Sequence, residues 1–103
     1  MSVVVTAVFH PVPGRTSDLI DALRASIPAV HQEEGCRLYA IHNADDDTIT
    51  MIEKWDSREA LAAHAAGPAV KALDAAVAEF IAQPTTVTTM TPLPAGTPHQ
   101  GEL

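Results

Sequence analysis

Cysteine, aromatic rings and positive charge are all scarce in these 103 residues, and each shortage excludes something. The single cysteine, Cys36, cannot form an internal disulfide, so packing alone must hold the fold, and a reducing, cytoplasmic setting is expected. Six Lys and Arg stand against 13 Asp and Glu, a formal net charge of -7. With no basic cluster there is no surface for counterion release from a phosphate backbone, and no nucleic acid partner is expected. No apolar run approaches the roughly 20 residues of a membrane span, and Met1 to Val12 has neither the basic start nor the small-residue cleavage site of a secretory signal. A membrane partner is therefore not expected. The histidines His10, His31, His42, His64 and His99 never fall at H-x-x-x-H spacing, and G-x-G-x-x-G and P-loop motifs are missing. Asp45 to Asp47 lack the spaced ligands, central glycine and closing glutamate of a calcium loop and read as a solvated turn. Neither a metal nor a cofactor is predicted.

What is present is a chain 47% hydrophobic, long enough for one core and too short for two. Its organising stretch is Thr48 to His64. Ile49, Met51, Glu53 and Trp55 alternate with Thr50, Ile52 and Lys54, the period-2 pattern of a strand. A helix follows at once, with Asp56 as the expected cap, Glu59 three residues on, and Leu61 directed inward one turn before His64. Glu53, Trp55 and His64 are thereby directed to one region between a sheet and the helix leaving it.

The other elements fall around that stretch. Ser2 to Phe9 is a β-branched strand apolar on both faces, ended by the His10-Pro-Val-Pro-Gly14 turn. Ile20, Leu23, Ile27 and Val30 space a buried helical stripe over Thr16 to Gln32, with a kink expected at Pro28. Cys36 to Asn43 reads as a strand in a hairpin with the next one. A loop symmetric about Asp45 and Asp46 pairs Cys36 with Trp55, Leu38 with Glu53, and His42 with Ile49, whereas a loop longer by one flips the register. In the first register Tyr39, Arg37 and Asn43 lie on the face opposite Trp55. Gly67-Pro68 opens a further helix with the stripe Val70, Leu73, Val77 and Phe80, and Thr85 to Thr91 makes a fourth strand.

Strand, helix, strand, strand, helix, strand is the order of an α+β ferredoxin-like sandwich, a four-stranded antiparallel sheet with both helices on one face. The domain is expected over residues 1–92, followed by an extended or mobile tail, 93–103. Val4 and Val8 on one side and Val3, Val5, Ala7 and Phe9 on the other leave no face suited to water, so a homodimer through the open sheet faces is predicted.

The series EEGCRLYAIH and IEKWDSREALAAHAAGPAV resembles the antibiotic biosynthesis monooxygenase family, small dimeric α+β barrels that include quinol and anthrone monooxygenases. The likeness runs from Val3 to Pro92, and its most specific part is the glutamate, tryptophan and histidine at Glu53, Trp55 and His64. It implies a cofactor-independent monooxygenase that oxidises an electron-rich aromatic (a quinol, anthrone or polyketide-like ring) with O2. Haem-degrading relatives carry an asparagine, a tryptophan and an axial histidine where this chain has Ala7, His64 and Leu73, so haem lacks its ligand.

Such chemistry needs a base and a pocket for an anion. His64 carries an imidazole, the side chain best suited to take a proton at neutral pH, and is the candidate base. Trp55 and Tyr39 offer surfaces for a small aromatic substrate, Asn43 or Arg37 a donor to a developing oxyanion, and Glu53 completes the candidate substrate-binding set. Each has a structural reading beside the functional one. Trp55 and Tyr39 suit a core, Glu53 an ion pair with Arg37, Lys54 or a partner chain, and His64 a helix-end cap or a bond to a neighbour; if His64 is instead the base, its removal is expected to spare the fold. A non-catalytic dimer that binds a small hydrophobic ligand or serves assembly, or an isomerase on the same fold, are the alternative functions.

Overall fold

The computed structural model describes all residues 1–103. Strand β1 spans Val3–Pro11, helix α1 Thr16–His31, β2 Cys36–Asn43, β3 Ile49–Trp55, α2 Arg58–Ala66 and α3 Pro68–Val77. A 3₁₀ turn, Ala78–Phe80, leads into β4, Ile81–Met90, and a one-turn helix α4 covers Pro98–Gly101. The four strands form one antiparallel sheet in the order β2-β3-β1-β4. This is the α+β ferredoxin-like fold, with the domain's long helices on one sheet face.

The buried face of the sheet is built by alternation. Val3, Val5, Ala7 and Phe9 on β1 and Ile49, Met51, Glu53 and Trp55 on β3 are all buried, and their intervening neighbours, Val4 apart, are more exposed. Helix α1 presses Leu19, Leu23, Ile27 and Val30 onto this face. Each buried aliphatic side chain there contributes about 1.5–3 kcal/mol of transfer free energy. The stripe is the expected one with Leu19 in place of Ile20, which is half-buried. The helix runs through Pro28, which lies on the exposed side, where the Arg24 carbonyl it leaves unpaired can reach water.

Three expectations need correction. The β2–β3 loop is the longer one: Ala44–Thr48 connects the strands, Asp47 adopts φ 68°, and Asp46 Oδ1 accepts from both the backbone N–H and the hydroxyl of Thr48. Tyr39 therefore pairs with Glu53, His42 with Thr50 and Asn43 with Ile49. A bulge at Arg37 absorbs one residue, so Cys36 still faces Trp55 as expected. Second, Ser57 rather than Asp56 caps α2, its hydroxyl accepting from the Ala60 N–H at 3.1 Å. Third, the tail beyond Pro92 is not extended throughout, because α4 interrupts it.

Candidate functional site

The helix pair α2–α3 stands off the sheet where α1 does not, and a cleft of about 630 Å³ opens between them. Val5, Ala7 and Phe9 of β1, Tyr39 of β2 and Glu53 of β3 line its sheet side. Leu61 and His64 of α2 and Val70, Leu73, Asp74 and Val77 of α3 line the helix side, and Thr85, Val87 and Thr89 of β4 form the outer wall. Most of the lining is apolar, with a few polar groups converging in it, the usual make-up of a small-molecule site.

His64 is the only fully buried residue of α2. Its Nδ1 lies 2.6 Å from Glu33 Oε1 and its ring packs on Trp55 at 4.5 Å between centroids, with Tyr39 edge-on at 5.4 Å. Engaging Nδ1 with a carboxylate fixes the ring's orientation and leaves Nε2 as the nitrogen available to a ligand. Glu33 reaches His64 because the turn after α1 comes in close. Gly35 has φ +81°, and a Cβ placed there would lie 2.6 Å from the Ala60 Cβ of α2. Only glycine allows both that backbone and that approach. Gly67 helps from the other side, since a Cβ on it would sit 3.2 Å from Glu33 Oε2.

Glu53 is 5% exposed and accepts a hydrogen bond from Trp55 Nε1 at 2.9 Å. Burial pushes its carboxyl above the usual range, and the Trp55 bond and the nearby His64 partly offset that. Neither of the ion pairs expected for it within the chain forms. Arg37, at the bulge, pairs with Asp56 instead, and Lys54 points to the other sheet face. Tyr39 is 4% exposed, and burial followed by the charge of Glu53 drives its phenol far above its ordinary value, so it serves as a neutral hydroxyl. Burial also raises the Cys36 thiol, which is thus no ready nucleophile.

The predicted residues are therefore brought together in part. His64, Glu53 and Tyr39 share the cleft, and Tyr39 does so because the register moved by one from the expected pairing. Trp55 is fully buried behind His64 and does not line the cleft, so it orders the imidazole and Glu53 rather than offering a ring face to a substrate. Asn43 is exposed at the far end of β2 and lies outside the cleft. His64 bonds the Glu33 side chain, the neighbour-bonded structural reading, and at 5% exposure its removal costs packing, so the expectation that its loss leaves the fold untouched is corrected. Two residues were missed. Glu33 sits in a polar turn 31 positions from its partner, which no local spacing reveals. Asp74 was legible, since it lies four residues after Val70 and three before Val77, on the flank of a stripe already identified. Its carboxyl at the cleft mouth is raised by burial, with His64 opposing.

The sequence profile of the family described as antibiotic biosynthesis monooxygenase matches residues 2–76. The chain belongs to that family. Rv0793 of Mycobacterium tuberculosis, a protein described as a candidate monooxygenase, is 36% identical over 92 residues, 88% of this chain and 91% of its own. Its solved structure superposes with a TM-score of 0.84 at 33% identity, covering 94% of this chain and all of that one. The solved structure of SO0527 from Shewanella oneidensis follows at TM-score 0.77 and 29% identity, covering 86% of this chain and 88% of its own. A Caulobacter crescentus member at 20% identity and TM-score 0.79, with 86% and 87% covered, attests the fold alone. In this antibiotic biosynthesis monooxygenase family member, Ala7 and Leu73 both reach the cleft and neither side chain can ligate a haem iron. No three His, Cys, Asp or Glu side chains converge to hold a metal ion.

Proposed function

We propose that this protein is a cofactor-independent monooxygenase that oxidises a hydroxyl-bearing, electron-rich aromatic of the quinol or anthrone kind with O2. The observation that carries the reading is the Glu33–His64 pair placed at the wall of an apolar cleft. Triplet dioxygen reacts slowly with closed-shell molecules but accepts an electron from an aromatic anion. His64 Nε2 takes the proton that creates the anion, and Glu33 steadies the imidazolium that results. Electron transfer to O2 and recombination of the two radicals give a peroxide on the ring carbon. In the anthrone case that carbon then loses its second hydrogen while the O–O bond breaks, so one oxygen atom stays as a ketone and the other leaves as water. The Tyr39 hydroxyl can donate to the developing oxyanion.

The His64→Ala variant tests this. A positioned base is worth 10²- to 10⁴-fold in rate, about 3–5 kcal/mol. Oxygen uptake with menadiol and anthrones should fall by that much, while the variant remains folded by circular dichroism. Undiminished uptake in the variant, or no uptake by the parent above the uncatalysed rate, overturns the reading in favour of a ligand-binding protein.

A homodimer through the outer sheet face fits the same proposal. Val4, Val8, Leu38, Ala40 and Ile52 place apolar groups on that face, and proteins of this family are typically dimeric. Sedimentation at micromolar concentration should show the dimer, and a monomer throughout would remove this part.

A further inference from the structure

We infer that the cleft selects uncharged, hydroxyl-bearing rings and rejects anionic ones, through the carboxylates of Glu53 on its floor and Asp74 at its mouth. This rests on the cleft being the substrate site and adds the charge class of what enters it.

The lining contains no lysine or arginine. All six cationic side chains of the chain are committed or positioned elsewhere. Arg15 pairs with Asp18 and lies over the Phe80 ring at 4.6 Å, Arg37 pairs with Asp56, and Arg58 donates to Thr91. Lys54 projects from the opposite sheet face, and Arg24 and Lys71 are exposed and do not line the cleft. A carboxylate or phosphate on a ligand would lose its hydration in a mostly apolar space without gaining a cation, and would face two like charges. A neutral hydroxyl meets the reverse situation. It is a donor, and His64, Glu53 and Asp74 are acceptors waiting for one, while the hydroxyls of Tyr39 and Thr85 can accept or donate. The chain's net charge of -7 acts in the same direction at longer range. A phosphorylated ligand is disfavoured by the same argument.

Matched probes titrated without oxygen separate the two classes: 2-naphthol, neutral at pH 7, and 2-naphthoate, anionic there, each titrated calorimetrically under argon into the full chain. The parent should bind 2-naphthol at least about tenfold tighter. In the Asp74→Asn/Glu53→Gln double variant that ratio should shrink to within about threefold, and Asp74→Asn alone, at an exposed position, should shrink it part of the way even if the double variant fails to fold. Equal or tighter binding of 2-naphthoate by the parent, an unchanged ratio in the variants that fold, or no binding of either probe at millimolar concentration overturns the inference. Because binding is read without turnover, a parent that shows the ratio but consumes no oxygen sinks only the oxygenase reading. A parent that oxidises anthrones but binds both probes alike sinks only the selection.

Discussion

Helices α1 and α2 lie on the same face of the same sheet and do opposite things with it. Helix α1 carries four large aliphatic residues on one stripe and packs them flush, leaving Leu19, Leu23 and Val30 with no exposed surface. Helix α2 reads REALAAHAA, buries only His64, and with α3 leaves the cleft beside it. Five alanines in nine residues preserve helix propensity while supplying little volume to fill the space. The buried titratable groups follow the same division: Glu53, His64 and the Tyr39 phenol all line the α2–α3 side. One half of the interface is closely packed, and the other leaves a cleft lined by buried ionisable groups.

Substitutions in the two helices should therefore separate stability from turnover. Leu23→Ala in α1 removes a fully buried side chain from a close-packed region and should cost about 2–5 kcal/mol in chemical denaturation, with the activity of the folded fraction unchanged. His64→Ala in α2 should cost about 1–2 kcal/mol of stability, from lost contact with Trp55, while its rate falls by orders of magnitude. Both variants, compared in denaturation and in oxygen uptake, give the check. If Leu23→Ala depressed turnover of folded protein as strongly as His64→Ala, the division of labour would not hold.

The fold was legible because its cues are local. Alternation in TITMIEKW, the α1 stripe and the Gly67-Pro68 break each reflect a periodicity or backbone restriction that acts within a few residues. The hairpin register was not, since it turned on whether Asp47 adopts a left-handed conformation and lengthens the loop by one. That single residue decided which face Tyr39 occupies, and hence whether it belongs to the cleft. That His64 comes to lie against Trp55 was readable from their spacing, but its bond to Glu33 was not. Its contact is made by two glycines that let separate elements approach, a property of tertiary packing that leaves only Gly35 and Gly67 in the sequence as its sign.

The smallest expected effect bears on the cost of keeping a carboxylate on the α2 side. Glu53 has its pKa raised in the folded protein, chiefly by burial, so the folded state holds this proton more tightly than the unfolded chain does. Stability attached to that proton is fully present below the unfolded carboxyl's titration. It is lost as pH rises from there through the folded value, where the unfolded state releases the proton first. Glu53→Gln has no such proton to lose. Its amide oxygen can still accept from Trp55 Nε1, though a bond to a neutral acceptor is weaker than one to a carboxylate, and the net change at neutral pH should be a gain below about 1 kcal/mol. The more telling quantity is the slope. Denaturation of parent and Glu53→Gln across pH 4 to 7 should show the variant gaining on the parent as pH rises, since every other titrating group is shared and cancels in the difference. A difference that stays flat or falls with pH would mean that Glu53 is solvated well enough to carry its charge freely. The cleft floor would then be far wetter than the packing around Trp55 implies.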